Sequence, residues 1–300
     1  MDEWHIGDPV DWGDGWMDAQ NWGHGYDDED DDDIEDDDYT NPRIIKRDEY
    51  SKKAWDLYMD FKESEALEYI DMALDLDNGN SNNWNKKAII LEAMKRYRQS
   101  EECYDRSLDL SFSPLVCDNK ARMLYDWASN LLEESKKLPD GTTMLKDAKD
   151  TCIRAIHALP HVNSEEDPQK YKNLMESIDF YIGYEQKFQA NLQILKGFDR
   201  SELFTITGRD HYLNVNLTLG MTLRLVREPD NEFDSDAIAV YAGNEKAGYV
   251  ANSDYTKFNM TSSASELCDR IGDSADGKYL MYLDRNADIQ FAIGIITSYE

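Results

Sequence analysis

Apolar residues recur every three or four positions from about residue 44 to residue 200, then every second position from about 202 onward. The first spacing marks one face of a helix and the second one face of a strand. In the helical part AWDLYMDF and SEALEYIDMALDL lead up to Leu76, and residues 84–110 repeat the plan with WNKKAIILEAM and SEECYDRSLDL. In the second part ELFTITG puts Phe204 and Ile206 on one face, and LTLGMTLRLV follows with Gly220 marking a bend or bulge. AIAVYA and KAGYV read as strands joined by a turn at GNE. SASELCDRI is the one convincing helix there, with Ser263 or Ser265 placed to cap it. YLMYLD and DIQFAIGIIT read as a closing hairpin turning near Asn286, and the alternation of Ile289, Phe291, Ile293 and Ile295 assigns one face to the core. Residues 1–41 carry no such period. The pattern predicts an α+β chain in three parts: a tail at 1–41, a helical array at 44–200 and a small barrel-like β domain at 202–300.

The helical part repeats itself. Tyr50 and Trp84 stand 34 residues apart, as do Ala54 and Ala88, Leu57 and Leu91, Ile70 and Tyr104, and Ala73 and Ser107. Small residues at Ala54 and Ala88 let paired helices approach, and the larger ones fill the layer between them. This resembles the tetratricopeptide (TPR) repeat over units 47–80 and 81–114. A third unit is stretched: a helix near 119–136, the insertion LPDGTT, then AKDTCIRAIHALP with Ala148, Cys152, Ala155 and Pro160 at the repeat's spacing. A last helix or helix pair over about 168–196 would cap the stack. Ser100 departs from the alanine that the first unit has at Ala66, and Asn78 and Phe112 replace the closing proline, Pro114 coming two residues late. The resemblance implies a concave groove for a peptide; the plainer alternative is a scaffold that positions the C-terminal domain. Trp55, Trp84 and Trp127 sit at core spacing, and His157 reads as a helix-face residue.

Charge narrows the functional classes. The chain of 300 residues has 62 acids against 32 Lys and Arg, a net charge of −30. The tail holds 17 acids and no Lys or Arg, so it repels itself and buries no core. Residues 201–300 carry a net −8. Nucleic-acid binders are typically basic, so any nucleic-acid site here is small and local. Trp4, Trp12, Trp16 and Trp22 lie among Gly and Asp ahead of DEDDDDIEDDDY. Two readings stay open: a solubility tail, or a linear motif whose rings anchor and whose acids steer it to a basic partner. In the second form the tail would mimic a nucleic acid. The four cysteines make no CxxC pair and no zinc-like spacing with His, so they read as buried thiols in a reducing compartment. With no signal-like N-terminus and no apolar run of membrane length, the expected setting is cytoplasmic.

Candidate chemistry centres on LRLVREPDNEFDSDAIAVYAGNEKAGYV, residues 223–250, whose loop holds Glu228, Asp230, Glu232, Asp234 and Asp236. A calcium loop would need Gly sixth and Glu twelfth; counted from Asp230, Ser235 and Tyr241 stand there. No metal or cofactor is therefore expected. Pro229 ends a strand, and Asn231 and Asp234 suit side-chain bonds to loop amides. Glu232, Ser235 and Asp236 read as solvated. The segment resembles the HIRAN domain, the match running through Arg227, Glu228, Pro229, Asp230, Asn231, Phe233, Asp234, Ala237, Ile238, Gly248 and Tyr249, with FTITGRDHYLN upstream as the family's first strand and loop.

That resemblance, covering about 202–300, implies a grip on the 3′ hydroxyl end of single-stranded DNA. In the family, aromatics stack on the terminal base, an Asp meets the hydroxyl and basic residues hold phosphate. Position by position this nominates Phe233 and Asp234, Tyr249, His211 and Tyr212 in the first loop, Arg209 beside them, and Arg227 as a phosphate contact. Asp210 falls where the family has its loop arginine, and Ala251 to Asp254 replace the basic residue expected after Gly-Tyr. No phosphate loop of the GxxxxGK[ST] type and no nucleophile triad is present, so the chain reads as a non-enzymatic module. Its expected partners are a single-stranded DNA end and a protein held by the helices or the tail; an adaptor for proteins alone is the competing class.

Overall fold

The computed structural model describes residues 41–160, 164–212, 214–285 and 289–299. The readings made for the tail and for the turn near Asn286 lie outside them. Two units separate at Asn41/Pro42, and everything below concerns Pro42 onward.

Seven helices come first: α1 Pro42–Met59, α2 Glu63–Leu76, α3 Ser81–Ala93, α4 Tyr97–Leu110, α5 Pro114–Ser135, α6 Thr142–Ala158 and α7 Pro168–Leu195. The first six pack as successive hairpins. Positions 34 apart are buried alike: Ala54 with Ala88, Leu57 with Leu91, Ile70 with Tyr104, and Ala73 with Ser107. Ser100, where Ala66 stands one unit earlier, is fully buried and donates its hydroxyl to the Ala88 carbonyl at 2.8 Å. The departure from alanine therefore leaves no orphaned polar group. Pro114, instead of closing a unit, opens α5 at a position where its missing N–H costs nothing. Residues 168–195 form one long helix. No helix among the described residues is long and apolar enough to cross a membrane.

The second half closes a six-stranded antiparallel barrel from β1 Leu203–Thr207, β2 Thr222–Arg227, β3 Ile238–Ala242, β4 Glu245–Val250, β5 Ser274–Arg285 and β6 Ile289–Tyr299, in the order β1-β4-β3-β2-β5-β6. A short helix, α8 Ala264–Cys268, is closed by a capping box between Ser263 and Glu266. Inside the barrel Phe204, Ile206, Leu223, Leu225, Val240, Ala292 and Ile296 form one core. Ile293 and Ile295, the alternating residues of the sequence, belong to a different core, with Phe188 and Leu195 of α7, Leu203, Phe258 and Leu283. The face assigned to the core is thus the outer one, covered by α7. The inner face is lined by Ala292 and Ile296, and the fully buried Phe204 ring occupies the space a side chain at Gly294 would need.

Among the described residues one ion pair joins the two halves. Arg285 on β5 donates through Nε to Glu185 of α7 at 2.8 Å, both side chains being almost fully buried. The other Glu185 oxygen accepts from the Gly141 amide and from Gln189, and Arg285 also reaches the Pro139 carbonyl. The α5–α6 connection, α7 and the barrel therefore share one polar knot.

Candidate functional site

The loop between β2 and β3 builds one wall of a hollow through bonds within the loop. Asn231 accepts from the amides of Phe233 and Asp234 with its side-chain oxygen, at 3.0 and 3.3 Å. Asp234 accepts from the Asp236 amide at 2.9 Å. These Asx-type bonds hold the loop in a tight curl, and Phe233 stands at its tip with 95% of its surface exposed. Asp236, read as solvated, instead accepts from the Ser265 hydroxyl at 2.6 Å. Glu228, Asp234 and Asp236 are drawn to different partners, and no three metal-binding side chains gather anywhere among the described residues.

The facing wall comes from β4. Gly248 has φ 149°, and a Cβ there would lie 2.4 Å from the Thr207 carbonyl oxygen, so β4 reaches β1 only with glycine at this position. The next residue, Tyr249, is aimed by a network beneath it. Its hydroxyl donates to Glu228 at 3.0 Å and accepts from Lys246 at 2.8 Å, and Lys246 also bonds Glu228 at 2.7 Å. Burial works to raise the Glu228 pKa, but the bonds from Lys246, Asn231 and Tyr249 outweigh it and hold the carboxyl below its ordinary value. Burial works to lower Lys246, and its bonds to Glu228 and Tyr249 hold it above the ordinary lysine range. For Tyr249 the Lys246 bond lowers the phenol's pKa, yet burial and Glu228 leave it raised.

The floor is the segment after β4, sewn to β1. Ala251 N–H donates to Thr205 O, Phe258 N–H to the Thr205 hydroxyl, and Ser262 N–H to Leu203 O. Asn252 crosses from this segment to donate to Asp234 at 2.9 Å.

Together these elements enclose a hollow of about 460 Å³ lined by Thr207, Tyr212, Asn231, Phe233, Asp234, Ala237, Tyr249, Val250, Asn252, Ser253 and Thr256. Four of the seven nominated residues line it: Tyr212, Phe233, Asp234 and Tyr249. The Tyr212 and Tyr249 ring centroids lie 6.4 Å apart at 58°. Arg209 lies outside it, in an adjoining hollow of about 320 Å³ that shares Thr207 and Thr256 and is rimmed by Tyr255 and Tyr282. His211 is exposed on a 3₁₀ turn and lines neither. Arg227 turns away toward Cys268, with its Nε buried and unpartnered, because the end of β2 is paired to β3 and to the Asp273 carbonyl.

Sequence reasoning passed over Asn252, Tyr255 and Lys246. Tyr255 is 97% exposed and lines the adjoining hollow. Its signal was present as an aromatic six residues after Tyr249, in the stretch noted only for lacking a base. Chemically, the main hollow offers faces of rings, one carboxylate and several amides and hydroxyls, with no Lys or Arg in its lining.

No protein-family model matches the chain, and no curated protein matches it. Among solved structures it is similar to the type III secretion chaperone SycD of Yersinia enterocolitica in complex with a peptide of the translocator YopD. That likeness has 16% identity and a TM-score of 0.31, covering 44% of this chain and 92% of SycD. A second SycD structure is similar at 16% identity and a TM-score of 0.32, covering 44% of this chain and 83% of that one.

Proposed function

We propose that the chain is a non-enzymatic, HIRAN-like module that takes the 3′ end of a single DNA strand into the hollow at the β2–β3 loop. The observation that carries this reading is Phe233, an exposed ring lining the same hollow as Tyr212, Tyr249 and Asp234. Phe233 does not stand alone but shares one hollow with two tyrosine rings, and such a grouped ring surface favours a contact role. Nucleobases stack on such rings whatever their sequence. A carboxylate accepts from a terminal hydroxyl and repels a terminal phosphate, which gives the site its end preference. The helical array serves this module as a protein-docking scaffold. That part is favoured by a separate hollow of about 350 Å³ between the first two hairpins, where Trp84 and Leu67 lie beside Lys87, Arg96 and Arg106.

Fluorescence anisotropy of the whole chain with a 3′-hydroxyl oligonucleotide, against the same strand ending in 3′-phosphate, tests the end preference. The hydroxyl form should bind more tightly, and Phe233→Ala should weaken it by about tenfold, the order of one lost base stack. Equal affinity for both ends, or an unaffected Phe233→Ala variant, would leave the protein-adaptor reading in its place.

A further inference from the structure

The ring-bearing surface does not stop at the barrel. From the main hollow it passes across Thr207 and Thr256 into the adjoining one, where Arg209, Tyr255 and Tyr282 stand. Tyr282 is exposed on β5, and Asp284, two residues on, shares its face of the strand. The Tyr184 hydroxyl on α7 lies near Asp284, which pushes the phenol's pKa up to about 12, while Asp284 Oδ1 is buried without a hydrogen-bond partner. Strand and helix thus meet at this point. From Tyr184 the helix surface carries Phe180, stacked on it at 5.7 Å and 19° and 63% exposed, with Tyr181 edge-on beside it.

Residues 180, 184, 187 and 191 lie along one stripe of a helix. They are Phe180, Tyr184, Lys187 and Asn191: two rings, a cation and an amide, without a carboxylate. The opposite stripe, with Tyr171, Leu174, Ile178, Glu185 and Phe188, is the buried one. Core packing therefore does not account for Phe180. Nor does ion pairing engage Lys187, for which no salt bridge occurs among the described residues. Carboxylates border the path as well: Asp210 beside Arg209, the half-buried Asp284 near Tyr184, and Glu176 one turn before Phe180.

We propose that α7 extends the single-strand site: the bases upstream of the gripped end run past Tyr255 and Tyr282 and stack on Phe180, with Lys187 beside the backbone. The occupant is single-stranded nucleic acid because the path is continuous with the candidate hollow and the stripe pairs rings with an unpaired cation. This inference rests on the reading of the hollow given above.

The two are separated by strand length. Oligothymidylates with 3′ hydroxyls, from two to twelve nucleotides, are titrated into the whole chain and into Phe180→Ala, Lys187→Ala and Phe233→Ala variants. Both α7 positions are solvent-facing, and circular dichroism checks that the fold is kept. Wild type should gain affinity with length in a step that Phe180→Ala reduces by about tenfold, with a smaller loss for Lys187→Ala, while dinucleotide binding is unchanged by either. Phe233→Ala should weaken every length. If the long strands bind Phe180→Ala as tightly as wild type, as they would were α7 a protein-docking face, the extension is wrong and the hollow stands. If no length binds wild type, both readings fall.

Discussion

Removing the Glu185 carboxylate should be among the most damaging single changes in the chain. Arg285 is about 6% exposed, and Glu185 is its one carboxylate partner among the described residues. Its Nη2 already lacks a hydrogen-bond partner, and its other contacts are the Pro139 carbonyl and the face of Phe188, 5.3 Å away. Glu185→Ala removes the one carboxylate bonded to that buried guanidinium and leaves only the more distant Asp140 as counter-charge, a change that costs about 3–5 kcal/mol. The Gly141 amide and Gln189 lose an acceptor as well. For a body of this size 1 kcal/mol moves Tm by roughly 2–4 °C, so the melting point should fall by about 6–20 °C. Arg285→Met should be comparably harmful, since it strands the carboxylate. The double variant Glu185→Leu, Arg285→Met should recover most of the loss, because an apolar pair of similar volume needs no desolvated charge. The assay is urea unfolding followed by two probes. Trp55, Trp84 and Trp127 report the helices, residues 202–300 contain no Trp, and circular dichroism reports both halves. In wild type the two transitions should coincide; in Glu185→Ala they should separate, because the knot between α7 and β5 is gone. A loss under about 1 kcal/mol, or a double variant no more stable than either single variant, would refute the reasoning.

Other outcomes follow from the same structure. Gly294→Ala should cost roughly 1–3 kcal/mol in denaturant unfolding, since its Cβ would lie 2.4 Å from the Phe204 ring, and Phe204→Leu in that background should restore part of it. The Glu228 pKa is held down by folding, so its contribution is present above the ordinary value of 4.5 and is lost as pH falls through the folded value. Lys246 is held up, so its contribution persists through neutral pH and fades only above about 10.5. The stability gap between wild type and Lys246→Met should therefore be flat from about pH 6 to 9 and shrink below about 4.5. Burial pushes the Cys103 and Cys152 thiols up to about 11, so alkylation of the folded protein at pH 8 should be far slower than in urea.

Local chemistry was legible in the sequence, and long-range registration was not. The 34-residue offset announced the helix pairs because each unit buries the same positions, as Ala54 and Ala88 show. Asn231 and Asp234 could be named as turn builders because their bonds reach only two or three residues along the chain. The alternation in β6 announced a buried face but not which side was the barrel's interior, because both faces are covered, one by Phe204 and the other by α7. Glu185 and Arg285 are 100 residues apart, and neither has a neighbour in sequence that marks it. Arg227 looked like a phosphate contact from its place in the motif, yet strand pairing turns it toward Cys268. Lys246 drew no reading from the sequence, because its bond to Glu228 spans 18 residues across the β3–β4 hairpin, and only that contact shows it fixing Tyr249.

The proposed grip of an acidic chain on a polyanion needs an account of its field, and the geometry offers one that can be measured. No Lys or Arg lines the main hollow, Arg209 is the cation in the adjoining one, and residues 201–300 carry a net −8. Stacking on Phe233 and Tyr249 does not depend on ionic strength, whereas counterion release scales with the number of phosphates neutralised. With one or two cations engaged, the single-strand slope of log K against log salt is about −1. Screening of the like-charged surface, whose reach is about 10 Å at 0.1 M, pushes the other way. Affinity should therefore change by less than a few-fold between 50 and 200 mM salt, against the losses of about 10³–10⁵ seen with six to ten phosphate contacts. A slope steeper than about −3 would mean that the grip lies in cations away from the rings, and the hollow would no longer be the place where the strand ends.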